Sequence, residues 1–575
     1  MDYEITYDSQ ETTRLKSIIV SLLHLLRPYV PARTDDKRAP FPYMHGRRNP
    51  TEGAHYALDR FLDGLAAICA DRPTCDVYAI AIAKEPHLET DTISLYFSSN
   101  HEVEQDLPDY VARNCGLIDN LRSISSALAT TESDIEHYGN LKHNLQSLER
   151  ELAVTIYKKC LPKVGARVQK HNRAYHLAAK LLKRHRRLVE SAVDLDATGP
   201  PQEATALFYL VDDLVRFVTL TGHGTSRNDP TVKESSQDEG SSLSPTPGED
   251  EATPMDLDVD EDPLSADSDK LYNLYQAGLA ISSELKKDRL VKNFLEHEYV
   301  TVGGYRASAL HILEKVCKLS LAIHNIVSYA THQALQGQPA GQTSQVKLRP
   351  IWISPPCSET LEVHITKQWL ADLYKEFGFN LDSLHEDALG QWVSEISQTS
   401  SREPEYYSHT EYRVHCEVNL ILHLYQAQTE HSQLDAIHPY VGCTKLSCHP
   451  CTLTFDVFSR KIDYLLRTKG SHEKLYGGWC PPDAPHDVLK EMATQLLHDC
   501  WAVCDTTRIP AQSDSTGESG GASDEEPMFR RFQGTYNRPY GGPREEIYED
   551  LRSSAQEYSE DVGQPHHDFG VGDQE

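Results

Sequence analysis

The sequence predicts an α/β fold interrupted by a long helical stretch, and three observations carry that reading. A helix pattern followed by two strand-like runs occupies residues 53–97. Two extended runs, each passing straight into a helix pattern, occupy residues 410–426 and 440–458. Between these groups, from about 101 to 405, the apolar spacing is mostly helical.

Taken in order, residues 12–28 read as an amphipathic helix ended by Pro28. Residues 53–70 form a second helix pattern, with Tyr56, Leu58, Phe61, Leu62, Leu65 and Ile68 on its apolar face. The runs 76–83 and 92–97 are β-branched and aromatic, and the turn-like EPHLETD between them makes a hairpin. Helical spacing covers 117–193 and 201–221 and resumes over 270–338. Residues 346–354 suggest a short strand, residues 359–397 are helical, and 410–414 are extended up to His415. There is no internal repeat of fixed period.

At 575 residues the chain exceeds the usual size of one hydrophobic core, so two or more units are expected. No apolar run approaches the roughly 18–20 residues that span a bilayer. The first residues are acidic and polar, unlike a secretory signal. Both features point to an intracellular protein, of the cytoplasm or nucleus, with no membrane partner. The 13 cysteines are scattered and cluster once, between Cys443 and Cys451. Cys500 and Cys504, one helical turn apart, read as core residues.

The net charge of −30 argues against a surface that wraps nucleic acid as a whole. Much of it is concentrated in residues 222–269 and from about 512 onward, which are rich in Ser, Pro, Asp and Glu. Such segments bury too little apolar surface to offset their ordering entropy and are expected to be disordered. The opposite sign dominates residues 158–187, with eleven Lys and Arg and no acidic residue. On a helix this stretch could track a phosphate backbone, with Tyr175 available to stack. A solvated helix face, or one paired with the chain's own acidic linker, is the commoner explanation of such a run.

The chemistry lies between 415 and 451. His415-Cys416-Glu417 stands at the start of the helix pattern that runs to Gln426. The run from Tyr440 leads through Ser447 into Cys448-His449-Pro450-Cys451 and a second helix pattern. Thiolates at a helix start are favoured by the dipole and by a bound metal. Three protein ligands leave a fourth tetrahedral position for water, as in catalytic zinc sites. A structural site closed by Cys443, Cys448, Cys451 and either His438 or His449 is the competing reading. His449 otherwise reads as a helix-surface residue, and His472 as a pocket or loop residue.

An H-x-E paired with a distant C-x-x-C marks the zinc deaminases that act on cytosine or adenine. Through the run Tyr-Val-Gly-Cys-Thr-Lys-Leu-Ser-Cys-His-Pro-Cys at 440–451, and the downstream Arg-Thr-Lys-Gly-Ser-His at 467–472 and Trp479-Cys480-Pro-Pro, the chain resembles a divergent branch of the cytidine deaminase-like superfamily. That branch is common in fungi and related to bacterial toxin deaminases. The sequence departs from better-known members at Ser447, where a proline is common, at Pro450 inside the C-x-x-C, and at Cys416, where a small residue is usual.

The resemblance implies a three-layer α/β/α deaminase fold with a mixed sheet. It also implies zinc (Zn2+) held by His415, Cys448 and Cys451, with Glu417 as the proton shuttle and not a ligand. The family's sheet begins with a helix and hairpin, which nothing between 360 and 410 supplies. The helix and hairpin at 53–100 therefore complete a discontinuous domain whose zinc-binding core is 406–505. The expected organisation is then an N-terminal helical region (1–52), an all-α insertion (101–221 and 270–405) around a disordered acidic linker (222–269), and a disordered acidic tail (506–575). Asn100 would match the asparagine that contacts the substrate sugar, or would serve as a loop-capping residue. The implied function is zinc-dependent hydrolytic deamination of a base in a nucleotide or nucleic acid. The alternative is an inactive deaminase-like protein that keeps zinc for stability and binds protein partners through its insertion or acidic segments.

Overall fold

The alternation of alanine and larger apolar residues over 78–83 produces a strand that buries both faces, and the sheet is built around it in the computed structural model. The structure describes residues 9–27, 56–72, 77–84, 92–130, 135–194, 202–222, 263–287, 289–302, 305–333, 347–355, 358–363, 365–379, 381, 383–399, 411–431, 437–461, 466–470, 475 and 478–508. The expected disordered stretches lie largely outside these residues. At their edges, helices start earlier or end later than expected, at Pro263 and Arg508.

The N-terminal part contains α1 (Ser9–Leu26), α2 (Tyr56–Cys69), β1 (Tyr78–Lys84) and β2 (Thr92–Ser99). Four long helices follow: α3 (Leu107–Thr130), α4 (Ile135–Gln169), α5 (Arg173–Asp194) and α6 (Gln202–Gly222). Next come α7 (Pro263–Lys287), α8 (Arg289–His297), the hairpin β3 (Tyr299–Val302) and β4 (Tyr305–Ser308), and α9 (Ala309–Gln333). Then come β5 (Lys347–Trp352), β6 (Glu359–Thr360), α10 (Lys367–Glu376), α11 (Ser383–Thr399) and β7 (Glu411–Tyr412). The chain closes with α12 (Cys416–His431), β8 (Tyr440–Cys443), α13 (His449–Lys461), β9 (Arg467–Thr468) and α14 (His486–Arg508).

Five strands form one mixed sheet in the order β5-β2-β1-β8-β9. β1 pairs antiparallel with β2 and β8, whereas β2–β5 and β8–β9 are parallel. One face of β1 presents Tyr78, Ile80 and Ile82 to a core shared with Phe61, Leu62 and Leu65 of α2 and Ile323 and Ile326 of α9. The other presents Ala79, Ala81 and Ala83 to Leu420, Ile421 and Leu424 of α12. Helices therefore cover both faces, in three layers. Gly442 of β8 is where α2 passes closest. A Cβ there would sit 2.4 Å from the Leu62 carbonyl carbon, so only glycine lets the helix lie on the strand.

Two expectations are corrected. The stretch expected to be all α carries the β3–β4 hairpin and contributes β5 to the main sheet. Its short strand was legible, but its partner was not. Pro350 is tolerated in β5 because this is the edge strand, and Asp119 of α3 accepts the Leu348 N–H at 3.2 Å, covering that edge. The extended run before His415 is β7, which pairs with β6 and not with the main sheet. Residues 359–397 thus begin with a strand.

A second core joins α1, α10, α11 and α14 to the back of α13, with Leu22, Leu389, Trp392, Met492 and Leu496 buried in it. Lys16, itself buried, anchors α1 through Glu359 at 2.6 Å and Asp483 at 2.5 Å. The described residues up to Thr506 form one compact unit. No helix among the described residues is long and apolar enough to cross a membrane.

His24 faces Tyr412 across this core, Nε2 to OH 3.1 Å, and burial, with Arg27 adding to it, pushes its imidazole down to about 4. The folded state thus holds His24 neutral while the unfolded chain takes up a proton near 6.5. Stability falls as pH drops from that value toward 4, by about 2 kcal/mol at pH 5. Urea titrations at pH 7 and pH 5 should show a smaller acid loss in His24→Gln than in wild type; equal losses would refute the assignment.

Candidate metal centre

Two helix N-termini and the loops before them build the site. At α12 the Cys416 N–H donates to Asn100 Oδ1 at 2.6 Å, satisfying one of the helix's orphan donors from 316 residues away in sequence. The next N–H groups, of Val418 and Asn419, bond the His415 carbonyl at 3.0 and 2.9 Å. Asn419 also donates through Nδ2 to Ser98 Oγ and the Ser354 carbonyl, both at 3.1 Å. The end of the β1–β2 hairpin therefore sets where His415 stands.

At α13 the Cys448 carbonyl accepts from Thr452 N at 3.0 Å, making Cys448 the cap residue. Ser447, in place of the commoner proline, donates its N–H to the Gly470 carbonyl at 2.9 Å, and its Oγ lies 3.1 Å from Thr468 Oγ1. Gly470 has φ +122°, a conformation that favours glycine. Upstream, Asp63 of α2 accepts from Tyr440 OH at 3.0 Å and Cys443 N at 3.1 Å, and Asp59 meets His438 at 2.7 Å. Two acidic residues one turn apart on α2 thus clamp β8, and with it the loop to Cys448.

These supports bring three donors together. His415 Nδ1 lies 3.4 Å from both Cys448 Sγ and Cys451 Sγ, and the sulfurs are 3.3 Å apart. Tetrahedral zinc, with Zn–S about 2.3 Å and Zn–N about 2.0–2.1 Å, spaces such donors roughly 3.5–3.8 Å apart, so the triangle fits with a small expansion. Among the described residues this is the group of His, Cys, Asp and Glu side chains able to hold a metal ion.

The electrostatics also suit a cation. Burial pushes the Cys448 thiol up, but hydrogen bonds with Cys451 and His415 overcome this and draw it down to about 6. Burial and the adjacent Cys448 hold Cys451 well above the usual thiol range. His415 is raised despite burial, because Cys448 and Glu417 stand beside it. Glu417 is buried in the same space, only 3% exposed, and its charge acts on His415 and both ligand thiols.

Residues of the four-ligand alternative go elsewhere. Cys443 Sγ turns to the Val441 carbonyl, His438 pairs with Asp59, and His449 meets Asp499 of α14 at 3.3 Å. His449 is buried, not on the helix surface as expected, because α14 packs over the first turn of α13. Cys416 turns away from the triangle, donating to the Val77 carbonyl and to Glu417 Oε2 at 3.5 and 3.4 Å. Asn100 stands at the α12 start, and His472 lies outside the described residues. Trp479 was legible as part of a motif but without a role; a parallel bridge to Arg413 fixes its backbone, and its side chain is buried.

The arrangement is three donor side chains able to hold a metal ion, with the Glu417 carboxylate buried nearby. Residues 414–483 match the family model described as OTT_1508_deam-like deaminase, so this segment is similar to a deaminase domain. No curated protein and no solved structure matches the chain significantly.

Purified protein should carry one zinc per chain. Cys448→Ser and Cys451→Ser should each lose most of it, whereas Cys443→Ser should keep it, read by elemental analysis after dialysis. Zinc retained by both ligand variants, or lost with Cys443, would overturn the assignment.

Proposed function

We propose that the chain is a zinc-dependent hydrolytic deaminase acting on cytosine or adenine in a nucleotide or nucleic acid. The observation that carries this is the three-donor triangle with a buried carboxylate beside it, at two facing helix starts within a deaminase-family segment. A closed structural site has four ligands and no use for Glu417.

His415, Cys448 and Cys451 would hold zinc, whose chemistry is to lower the pKa of a water and make it a nucleophile near neutral pH. Glu417 would take a proton from the attacking water and deliver it to the ring nitrogen and the departing amino group. Water adds to the amino-bearing ring carbon, the C–N bond breaks, and ammonia leaves with a carbonyl in its place. The low-dielectric surroundings keep Glu417 close to its proton partners without solvent competition. Asn100 uses its Oδ1 to hold α12, leaving its amide N–H groups for the substrate sugar.

The catalytic domain is discontinuous on this reading, with residues 53–100 and 406–505 joined around the long insertion. None of the eleven described cysteines forms a disulfide and all are buried, which supports an intracellular protein, of the cytoplasm or nucleus.

Ammonia release from nucleosides, single-stranded DNA and RNA tests the proposal. Glu417→Gln should keep its zinc and lose turnover by about 10²-fold or more. A wild type with full zinc and no turnover on any cytosine or adenine substrate would sink it. Asn100→Ala should lower stability by about 1 kcal/mol and also raise KM; a stability loss with KM unchanged would leave Asn100 as a capping residue alone.

A further inference from the structure

We propose that Arg413 and His101 form a phosphate-binding rim beside the candidate metal centre, so that the substrate is a nucleotide or a nucleic acid and not a free base or nucleoside. The inference rests on the deaminase function proposed above for what lies beyond the rim.

Burial alternates along residues 411–415, as it does in an extended chain. Tyr412 and Val414 are buried in the second core, so Glu411, Arg413 and His415 face the other way, and His415 is only partly covered. In that register Arg413 stands beside His415, roughly 6.5 Å away along the chain. Its backbone is fixed on both sides. The Arg413 N–H donates to the Gly478 carbonyl at 2.8 Å, and the Arg413 carbonyl accepts from Cys480 N at 2.9 Å. The guanidinium therefore grows from a rigid root into an exposed position.

Its tip reaches the end of the β1–β2 hairpin, where Nη1 donates to His101 Nδ1 at 3.4 Å. A guanidinium only donates, so Nδ1 is the acceptor and the ring proton is on Nε2, a second donor beside the guanidinium. The His101 backbone N–H is held by Ser99 Oγ at 3.2 Å. The residue before it, Asn100, is the one whose Oδ1 accepts from Cys416 N at the start of α12. Three elements thus follow one another around a single helix start. The metal donors and Glu417 come first, the Asn100 amide next, and Arg413 with His101 beyond it. A nucleotide carries base, sugar and phosphate in the same order.

The ion pairs agree with a binding role. Where this fold uses a cation for support, the carboxylates lie close, as Glu359 and Asp483 do to buried Lys16 at 2.6 and 2.5 Å. The carboxylate facing Arg413 is Glu411 at 3.7 Å, a long pair with both side chains exposed, and such a pair holds weakly. A phosphate would take a bidentate contact from the planar guanidinium and a further one from His101 Nε2.

Binding tests this without turnover. Calorimetric titration of full-length Glu417→Gln with cytidine, adenosine, their 5′-monophosphates and single-stranded oligonucleotides compares each base with and without phosphate. A phosphorylated ligand should bind at least about tenfold more tightly than its nucleoside. Arg413→Gln in the same background should abolish that advantage and leave nucleoside affinity as it was, and Arg413→Lys should restore part of it. Lys183→Gln, on the exposed face of α5, should bind as the parent does. An advantage for the monophosphates identifies a free nucleotide. One confined to oligonucleotides, with the salt slope reduced by about one in Arg413→Gln, identifies a nucleic-acid backbone. His101→Gln repeats the measurement should Arg413→Gln fail to melt cooperatively. No binding of any phosphorylated ligand, equal binding of nucleosides and their phosphates, or an advantage that survives these variants would overturn the rim. Wild-type turnover of nucleosides without phosphate preference would leave the deaminase standing and remove the rim; Arg413-dependent phosphate binding without any turnover would do the reverse.

Discussion

The burial of β1 on both faces is the constraint from which the rest of the unit follows. Its isoleucines require a helical layer on one side and its alanines admit α12 closely on the other. A strand with no solvent face must also satisfy its backbone on both edges, which β2 and β8 do. These pairings draw residues near 80 against residues near 442, so a long excursion must leave and return around them.

That excursion is part of the support for the site. α9 packs on α2, α3 covers the edge strand β5, and α2 in turn clamps β8 through Asp59 and Asp63. The donors of the candidate metal centre are therefore placed by a chain of contacts running through helices far from them in sequence. On the opposite side, α1 and α14 close the second core behind Cys448 and Cys451. The thiols sit where two cores meet, dry enough to make a metal the natural source of compensating charge.

Charge is distributed by the same logic. Residues 158–187 read as one basic run, yet the structure divides them into cations with carboxylate partners and cations gathered around a recess. Only the arrival of Lys318 from α9 makes the difference visible. A high local charge in sequence therefore says little about which partners each cation meets.

His415, Glu417, Cys448 and Cys451 were readable from sequence because each pair lies within one turn of a helix start, and local spacing alone puts them side by side. The hairpin at 78–99 was readable for a similar reason, since period-2 spacing and a turn are short-range signals. What joins these pieces was not. The pairing of β5 with β2, the separation of β7 from the main sheet, the burial of His449 under α14, the hold of Asn100 on Cys416 and the bridge between Arg413 and Trp479 all link residues whose neighbours in sequence carry no mark of the contact. Sequence periodicity determines which face of an element is apolar. Only the folded packing decides which other element covers that face, because that choice is settled by the combined burial of all the elements at once.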